Sequence, residues 1–397
     1  MLFSRESVII PESKNRRIDL LLSILFLGAG FFQSMRLSGR LDPAMMMEPK
    51  TRNVWFDADM IRVTSLETDR GGRHARSNIH PLVSMVSFPP VFLLRHLFGV
   101  PNLTAVRVFH SVVAGVWAAL LFLLLRRLGC LPADSALFTV LAGTSAAAYF
   151  WLWVPETYAL GSLSFFPALY FAAGKNRPTL VQQVAAQVAG ISVTVTNWMA
   201  GALLTIAAET RRRIFIVAGA AGASVLGMCL VQSVIFPKAR LPLAGVASTA
   251  APFFFMPESG GFWPCARAFL FHSMSAPAFS WYSNFRLPTL PLISFQSSPL
   301  FSGPISGGAA SALWAVLLGT SLVILVRRPG PGLVRVVLGM TIVAQFTLHV
   351  MFGRETFLYS LHYVPLLVIA AALATQTRAR RGSGDGGVAH RAQCRQQ

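Results

Sequence analysis

Long apolar runs separated by short basic clusters set the pattern of this chain. Runs at 18–35, 104–125, 134–153, 158–173, 214–236, 306–326, 333–351 and 357–373 approach the roughly 20 residues that carry an α-helix across a hydrocarbon layer. Unpaired strands and irregular backbone are excluded from lipid, because their polar groups find no partner there, so the runs predict helices. The stretch 180–208 is too long for one comfortable pass and short for two. With Thr194, Thr196 and Asn197 at its middle, it predicts two short helices that fold back around Asn197. At 81–98, Pro89 and Pro90 interrupt the run; prolines remove internal helix bonds, so a juxtamembrane helix at the interface is expected rather than a full span.

The basic clusters at 16–17, 126–127, 175–177, 211–213, 327–328 and 378–381 fall on alternate ends of about ten passes, the cytoplasmic ends under the positive-inside rule. This predicts cytoplasmic N- and C-termini in a bacterial inner membrane. Residues 1–17 form a basic arm, 18–377 a transmembrane domain, and the Gly/Arg-rich 378–397 a disordered tail. Loop 37–103 and the Pro-, Ser- and aromatic-rich segment 237–301 then lie outside, the latter as partial helices resting on the membrane. The first run has no small-residue cleavage pattern and reads as an uncleaved anchor. The expected fold class is all-α, a polytopic transmembrane helix bundle with an outer-face catalytic loop.

Composition agrees. Of 397 residues, 54% are hydrophobic and 12% charged, against roughly 25% charged in a soluble domain. The net charge of +19 suggests nucleic acid at first sight, but the cations punctuate the apolar runs instead of forming one stripe, which excludes that partner. The cysteines, Cys130, Cys229, Cys265 and Cys394, have neither CxxC nor Cys/His spacing, so neither disulfides nor a zinc site is expected.

One loop departs from this apolar background. Residues 55–82, WFDADMIRVTSLETDRGGRHARSNIHPL, hold Asp57, Asp59, Glu67 and Asp69 together with Arg62, Arg70, Arg73, Arg76, His74 and His80. Ionisable groups of both signs beside a bilayer are expensive unless chemistry or binding uses them. Asp57 and Asp59 suit a divalent cation, or one of them serves as general base while a neighbouring cation holds the other. Arg62 offers a phosphate its paired donors. Arg70, Arg73, His74 and Arg76 either grip a lipid phosphate or tether the loop to anionic headgroups. His80 reads as a phosphate ligand or as a cap before Pro81. Glu156 orients a substrate hydroxyl, pairs with a loop arginine, or simply starts a water-exposed helix. Arg354 is a second phosphate contact or the partner of Glu355; Tyr359 and His362 share one side of the last run. The aromatic stretch 253–263 reads as membrane-surface packing rather than a sugar platform.

The order of these features resembles the GT-C superfamily of membrane glycosyltransferases, in particular the protein mannosyltransferase and lipid A aminoarabinose transferase type (family 39-like). Those enzymes carry Asp-Glu-x-Arg in the first outer loop, with the catalytic aspartate, and a later His-Pro-Pro-Leu or Pro-Pro-Leu. Here Asp59-Met60-Ile61-Arg62 and His80-Pro81-Leu82 stand in those places. Met60 replaces the Glu, a single proline follows His80, and Asp57 adds a carboxylate. Recognisable order covers roughly the first 160 residues. The resemblance implies a polyprenyl-phosphate sugar as donor and an acceptor glycan, lipid or protein on the outer face. Asp59 would then be the base, assisted by Asp57, with the arginines and His80 at the phosphate. A transporter or lipid flippase is the rival. It predicts ionisable groups near the midplane of broken helices in repeated halves, whereas no internal repeat is visible and the runs carry almost no acids. A non-catalytic scaffold leaves the charged loop unexplained.

Overall fold

The computed structural model describes residues 16–48, 54–245, 251–283, 291–327 and 332–374. The basic arm up to residue 15, Arg328 and the tail fall outside the described residues. Among the described residues, six helices are long and apolar enough to cross a membrane: Arg16–Ser38, Asn102–Arg127, Arg211–Ile235, Ile305–Arg327, Gly332–Met351 and Thr356–Ala374. Shorter apolar helices run over Val83–Leu97, Tyr158–Ala172, Leu180–Val193 and Val195–Ala208. The fold is thus a mostly helical membrane bundle with a clear centre. Thr356–Ala374 is 94% buried over its apolar window and Asn102–Arg127 72%, whereas Arg211–Ile235 and Ile305–Arg327 are each 22% buried. The outer pair expose apolar side chains along their length, among them Phe215, Leu230, Val234, Leu313, Val316 and Val326.

The first helix lies on Asn102–Arg127 at a crossing of small residues. A Cβ on Gly115 would collide with the Leu27 carbonyl, and one on Gly30 would stand 2.9 Å from the Ala114 carbonyl. Without a hydrophobic drive between helices in lipid, such close backbone approach is what holds the pair. Arg126 Nε, 2.7 Å from Asp19 Oδ1, closes the same pair near its basic end.

The stretch 180–208 folds back as expected. Leu180–Val193 and Trp198–Ala208 are joined by a turn over Val195–Asn197. Asn197 is fully buried, and its amide donates to the Gly161 carbonyl and to Ser164 Oγ, both at 3.0 Å. Another expectation is corrected. Residues 134–153 are not one helix but two, Pro132–Gly143 and Ala146–Trp151. The break is stable because Ser145 Oγ accepts from the Ala148 amide at 3.2 Å. The freed amides of Ala146 and Ala147 donate to the carbonyls of Met274 and Ser273, partners no local pattern reveals. The run 158–173 forms the apolar helix Tyr158–Ala172, with a slack turn at Ser164 and Phe165 where the backbone stays helical. The run 81–98 forms the expected short helix, Val83–Leu97, which continues through Pro89 and Pro90; the rings forfeit only the bonds to the carbonyls of Met85 and Val86. Its 15 residues reach about 22 Å, short of the hydrocarbon width.

The loops between these helices gather at one end. Leu82 N donates to Ser192 O at 2.7 Å and Ile293 N to Val54 O at 3.1 Å, while Gly353 N donates to Phe253 O at 2.9 Å. Gln232 Nε2 donates to Pro81 O at 2.6 Å. The segment 237–301, read as partial helices, contains a short helix Phe262–Arg267 that runs into a π-helical turn. It also contains an antiparallel hairpin, Ser280–Ser283 against Pro291–Ser294, with Trp281 opposite Ile293.

Candidate functional site at the gathered loops

Phe56 fixes the entry to the charged loop. It is fully buried, and its ring sits 4.9 Å from Phe295, 5.0 Å from Phe357, 5.4 Å from Phe150 and 5.7 Å from Trp151. Phe56 and the half-buried Asp57 both adopt left-handed backbone, φ 49° and 62°, costing on the order of 1–3 kcal/mol each. Burial of the Phe56 ring offsets this strain and turns the chain so that Asp59 starts helix Met60–Thr68.

Asp59 stands at the N-cap position, yet its side chain makes no capping bond. It holds guanidiniums instead, with Arg62 Nε 3.2 Å and Arg76 Nη1 2.7 Å from its Oδ2. Asp59 and Arg62 are buried, whereas the Arg76 side chain is 39% exposed. The Asp59 amide donates to Glu156 Oε1, and the Thr157 amide donates to Oε2 at 3.1 Å. Burial pushes the Glu156 carboxyl up to about 7. The Asp59 charge adds to the rise, while Arg62 and the two amide donors oppose it. Tyr359 lies within electrostatic reach of Arg76, Asp57, Glu156 and Asp59. Glu156 is therefore no water-exposed helix start; it is built into the loop-1 cluster.

His80 Nδ1 stands 3.0 Å from the Val193 carbonyl and 3.1 Å from Thr194 Oγ1. A carbonyl only accepts, so Nδ1 donates and Nε2 carries the lone pair. Burial, then the charges of Arg62 and Arg76, hold the imidazole down at about 3. A neutral ring in this tautomer suits accepting from a hydroxyl better than donating to a phosphate. His80 lines a cleft of about 10 Å³ together with Arg62, Arg73, His74, Arg76 and Ser84. An anion larger than a water enters only if the exposed Arg73 and the partly exposed Arg76 swing outward. His74 is fixed from both sides, Nδ1 2.8 Å from Ser84 Oγ and Nε2 2.9 Å from the Asp69 carbonyl.

Two predicted residues sit apart. Arg70 is exposed and donates from Nε to the Ile235 carbonyl at 2.6 Å, so it seats the loop on helix Arg211–Ile235. Arg354 is half-buried with a partnerless Nε, and no contact joins it to Asp59. Nor does it pair with Glu355, which turns inward to accept from Ser294 Oγ and, at 3.3 Å, from the Phe357 amide. Among the described residues no group of three His, Cys, Asp or Glu is arranged to hold a metal ion, and Asp59 already engages two guanidiniums.

Local patterns gave no signal for several residues near this site. Ser294 and Gln296 tie the hairpin to the last helix, with Thr356 N donating to Gln296 Oε1 at 2.9 Å. His349 stacks on Tyr359 with centroids 4.9 Å apart. Glu67 and His110 form a buried pair at 3.2 Å away from Asp59.

Glu355 makes the Ser294 latch sensitive to pH. Burial raises its carboxyl to about 7, opposed by hydrogen bonds from Ser294 and the backbone of Phe357, Gln296 and Phe295. A folded pKa above the unfolded one means that the folded state binds the extra proton between about pH 4.5 and 7. Stability from this group is therefore present at low pH and falls as pH rises through that window. Compared with Glu355→Gln in detergent melting curves, the wild type should lose relative stability from pH 5 to pH 8. A constant offset would rule out the inward carboxyl.

No protein-family model matches this chain, and no curated protein or solved structure does so.

Proposed function

We propose that the chain is an inverting membrane glycosyltransferase. It moves a sugar from a polyprenyl phosphate to an acceptor hydroxyl on the outer face of a bacterial cytoplasmic membrane. One observation carries the reading: Asp59 is joined to Arg62 and Arg76 of its own loop and to Glu156, 97 residues away, in one cluster. This supplies a carboxylate base beside cations suited to a departing phosphate.

Arriving donor phosphate competes with Asp59 for the guanidiniums of Arg62 and Arg76, drawing them onto its own oxygens and releasing the carboxylate. Asp59 then takes the acceptor's hydroxyl proton as the acceptor oxygen attacks the anomeric carbon. The anomeric C–O(phosphate) bond breaks on the opposite face, and the electron pair leaves with polyprenyl phosphate, its charge neutralised by the arginines. Asp57 supports the base electrostatically; no step requires a cation. A groove of about 150 Å³ offers the lipid tail a path. Phe26, Gly30, Trp117, Gly143, Leu152 and Trp153 are among its lining residues. The Trp153 ring is 5.8 Å from Trp55, so the groove ends beside the loop that carries Asp59. The tail chemistry also accounts for an enzyme embedded in lipid.

The direct test is purified chain in proteoliposomes given radiolabelled polyprenyl-phosphate sugars, with host membranes as acceptor source. Label should pass to the acceptor and unlabelled polyprenyl phosphate should accumulate. Movement of intact labelled lipid between leaflets without transfer would replace this reading with a flippase.

A cytoplasmic N-terminus and a first pass over Arg16–Ser38 put the cluster outside. In a variant without its native cysteines, a cysteine at exposed Ala75 should react with an impermeant maleimide in intact cells. One at exposed Thr210 should react only after lysis. The reverse pattern would turn the site to the cytoplasm.

A further inference from the structure

Beneath the charged cluster lies a wall of a different character. His349 and His362 are 3% and 5% exposed, and Asn197 is fully buried. Both nitrogens of His349, Nε2 of His362 and Oδ1 of Asn197 have no hydrogen-bond partner. Buried polar atoms left this way are rare and expensive, and several in one region point to a missing ligand or ordered water.

The region is continuous. His349 stacks on Tyr359 at 4.9 Å, and Tyr158 packs against Tyr359 at 5.8 Å and His362 at 5.9 Å. Gly161 leaves room for the His362 ring, since a Cβ there would collide with Nε2; the Gly161 carbonyl also accepts from Asn197. Tyr359 is half-buried and forms the rim. Arg76 is within electrostatic reach of Tyr359, Glu156 and Tyr158 as well as Asp59, so the wall adjoins the phosphate-gripping guanidiniums directly.

We infer that this wall is the glycosyl subsite and that it selects an uncharged, hydroxyl-rich sugar. The inference rests on the glycosyltransferase reading above. Two imidazoles, a carboxamide and two tyrosines supply neutral donors and acceptors, together with aromatic faces for the C–H side of a pyranose ring. An imidazolium there would be a buried charge with no carboxylate among its hydrogen-bond partners, so the imidazoles act as neutral groups. A protonated amino sugar would meet repulsion from Arg62 and Arg76, while the carboxylates nearest the wall are already committed, Glu156 to the amides of Asp59 and Thr157 and Asp59 to the acceptor proton. The charged cluster holds the phosphate, and the neutral wall reads what the phosphate carries.

The experiment is competition against radiolabelled polyprenyl phosphate on the purified full chain. The probes are unlabelled polyprenyl phosphate, a polyprenyl-phosphate hexose and a polyprenyl-phosphate 4-amino sugar. The hexose lipid should bind about ten-fold or more tighter than the bare phosphate lipid, the scale of one or two satisfied hydrogen bonds, and the amino-sugar lipid should bind more weakly than the hexose lipid. His349→Phe and His362→Phe should flatten the hexose advantage while binding of bare polyprenyl phosphate persists, which also reports that the variants fold. Equal binding of bare and hexose lipids by the wild type, or preference for the amino sugar, overturns the neutral subsite and leaves the transferase reading standing. So does an undiminished hexose advantage in both variants. If the wild type binds none of the three lipids, both readings fall.

Discussion

Asp59→Asn is expected to lose transfer activity by about 10²–10⁴-fold, the range for removing a positioned general base. The variant keeps an oxygen that can accept from Arg62 or Arg76 and loses only the charge, so the loop should still form. Some stability should go with the charge, because the buried Arg62 is left facing a neutral partner. Melting curves measured beside the activity assay separate the two effects: activity should fall by orders of magnitude, stability by a few degrees. Asp57→Asn should be milder, since Asp57 is half-buried and its role is electrostatic support. Equal failure of both variants, with inhibition by chelators, would mean that a cation bridges the two carboxylates during turnover. Full activity of Asp59→Asn with a competent donor would sink the proposed chemistry.

Arg62→Ala is expected to raise the apparent KM for the lipid donor about ten- to a hundred-fold, with the acceptor KM nearly unchanged. A charge-assisted hydrogen bond is worth roughly 1.5–3 kcal/mol, and in the proposed reaction the donor phosphate takes over the guanidinium. Arg76→Ala should behave alike. Arg62→Lys should recover only part of the loss, because an ammonium keeps the charge without the planar fork. Arg70→Ala is the internal control: its Nε is engaged by the Ile235 carbonyl, so it should affect loop stability more than donor affinity. Unchanged donor KM in Arg62→Ala and Arg76→Ala would reduce the cluster to a clamp on the loop.

What the sequence disclosed and what it hid follow a physical division. Apolar runs, the fold-back at Asn197 and the Asp59–Arg62 pair three residues apart are local, and local spacing reports them. Glu156 carried a hint, a carboxylate after Pro155 at a helix end, but its bond to the Asp59 amide required the fold. The inward turn of Glu355 depends on Ser294, 61 residues away, and the engagement of Arg70 on a helix end 165 residues away. The helix break at Ser145 is hidden for a related reason. Whether a backbone group is orphaned depends on the neighbours that arrive later, here the carbonyls of Ser273 and Met274.

The ring nest around Phe56 has a mechanical consequence. Membranes vary in thickness, and helices respond by tilting or shifting at a modest cost per ångström. In this bundle the lipid-facing helices Arg211–Ile235 and Ile305–Arg327 can take up that motion, being only 22% buried. Phe357, by contrast, sits at the head of the 94% buried helix Thr356–Ala374 and presses directly on Phe56. The position of Asp59 is thereby referenced to the innermost helix of the bundle, so the Asp59 cluster keeps its spacing while the periphery adapts to the bilayer.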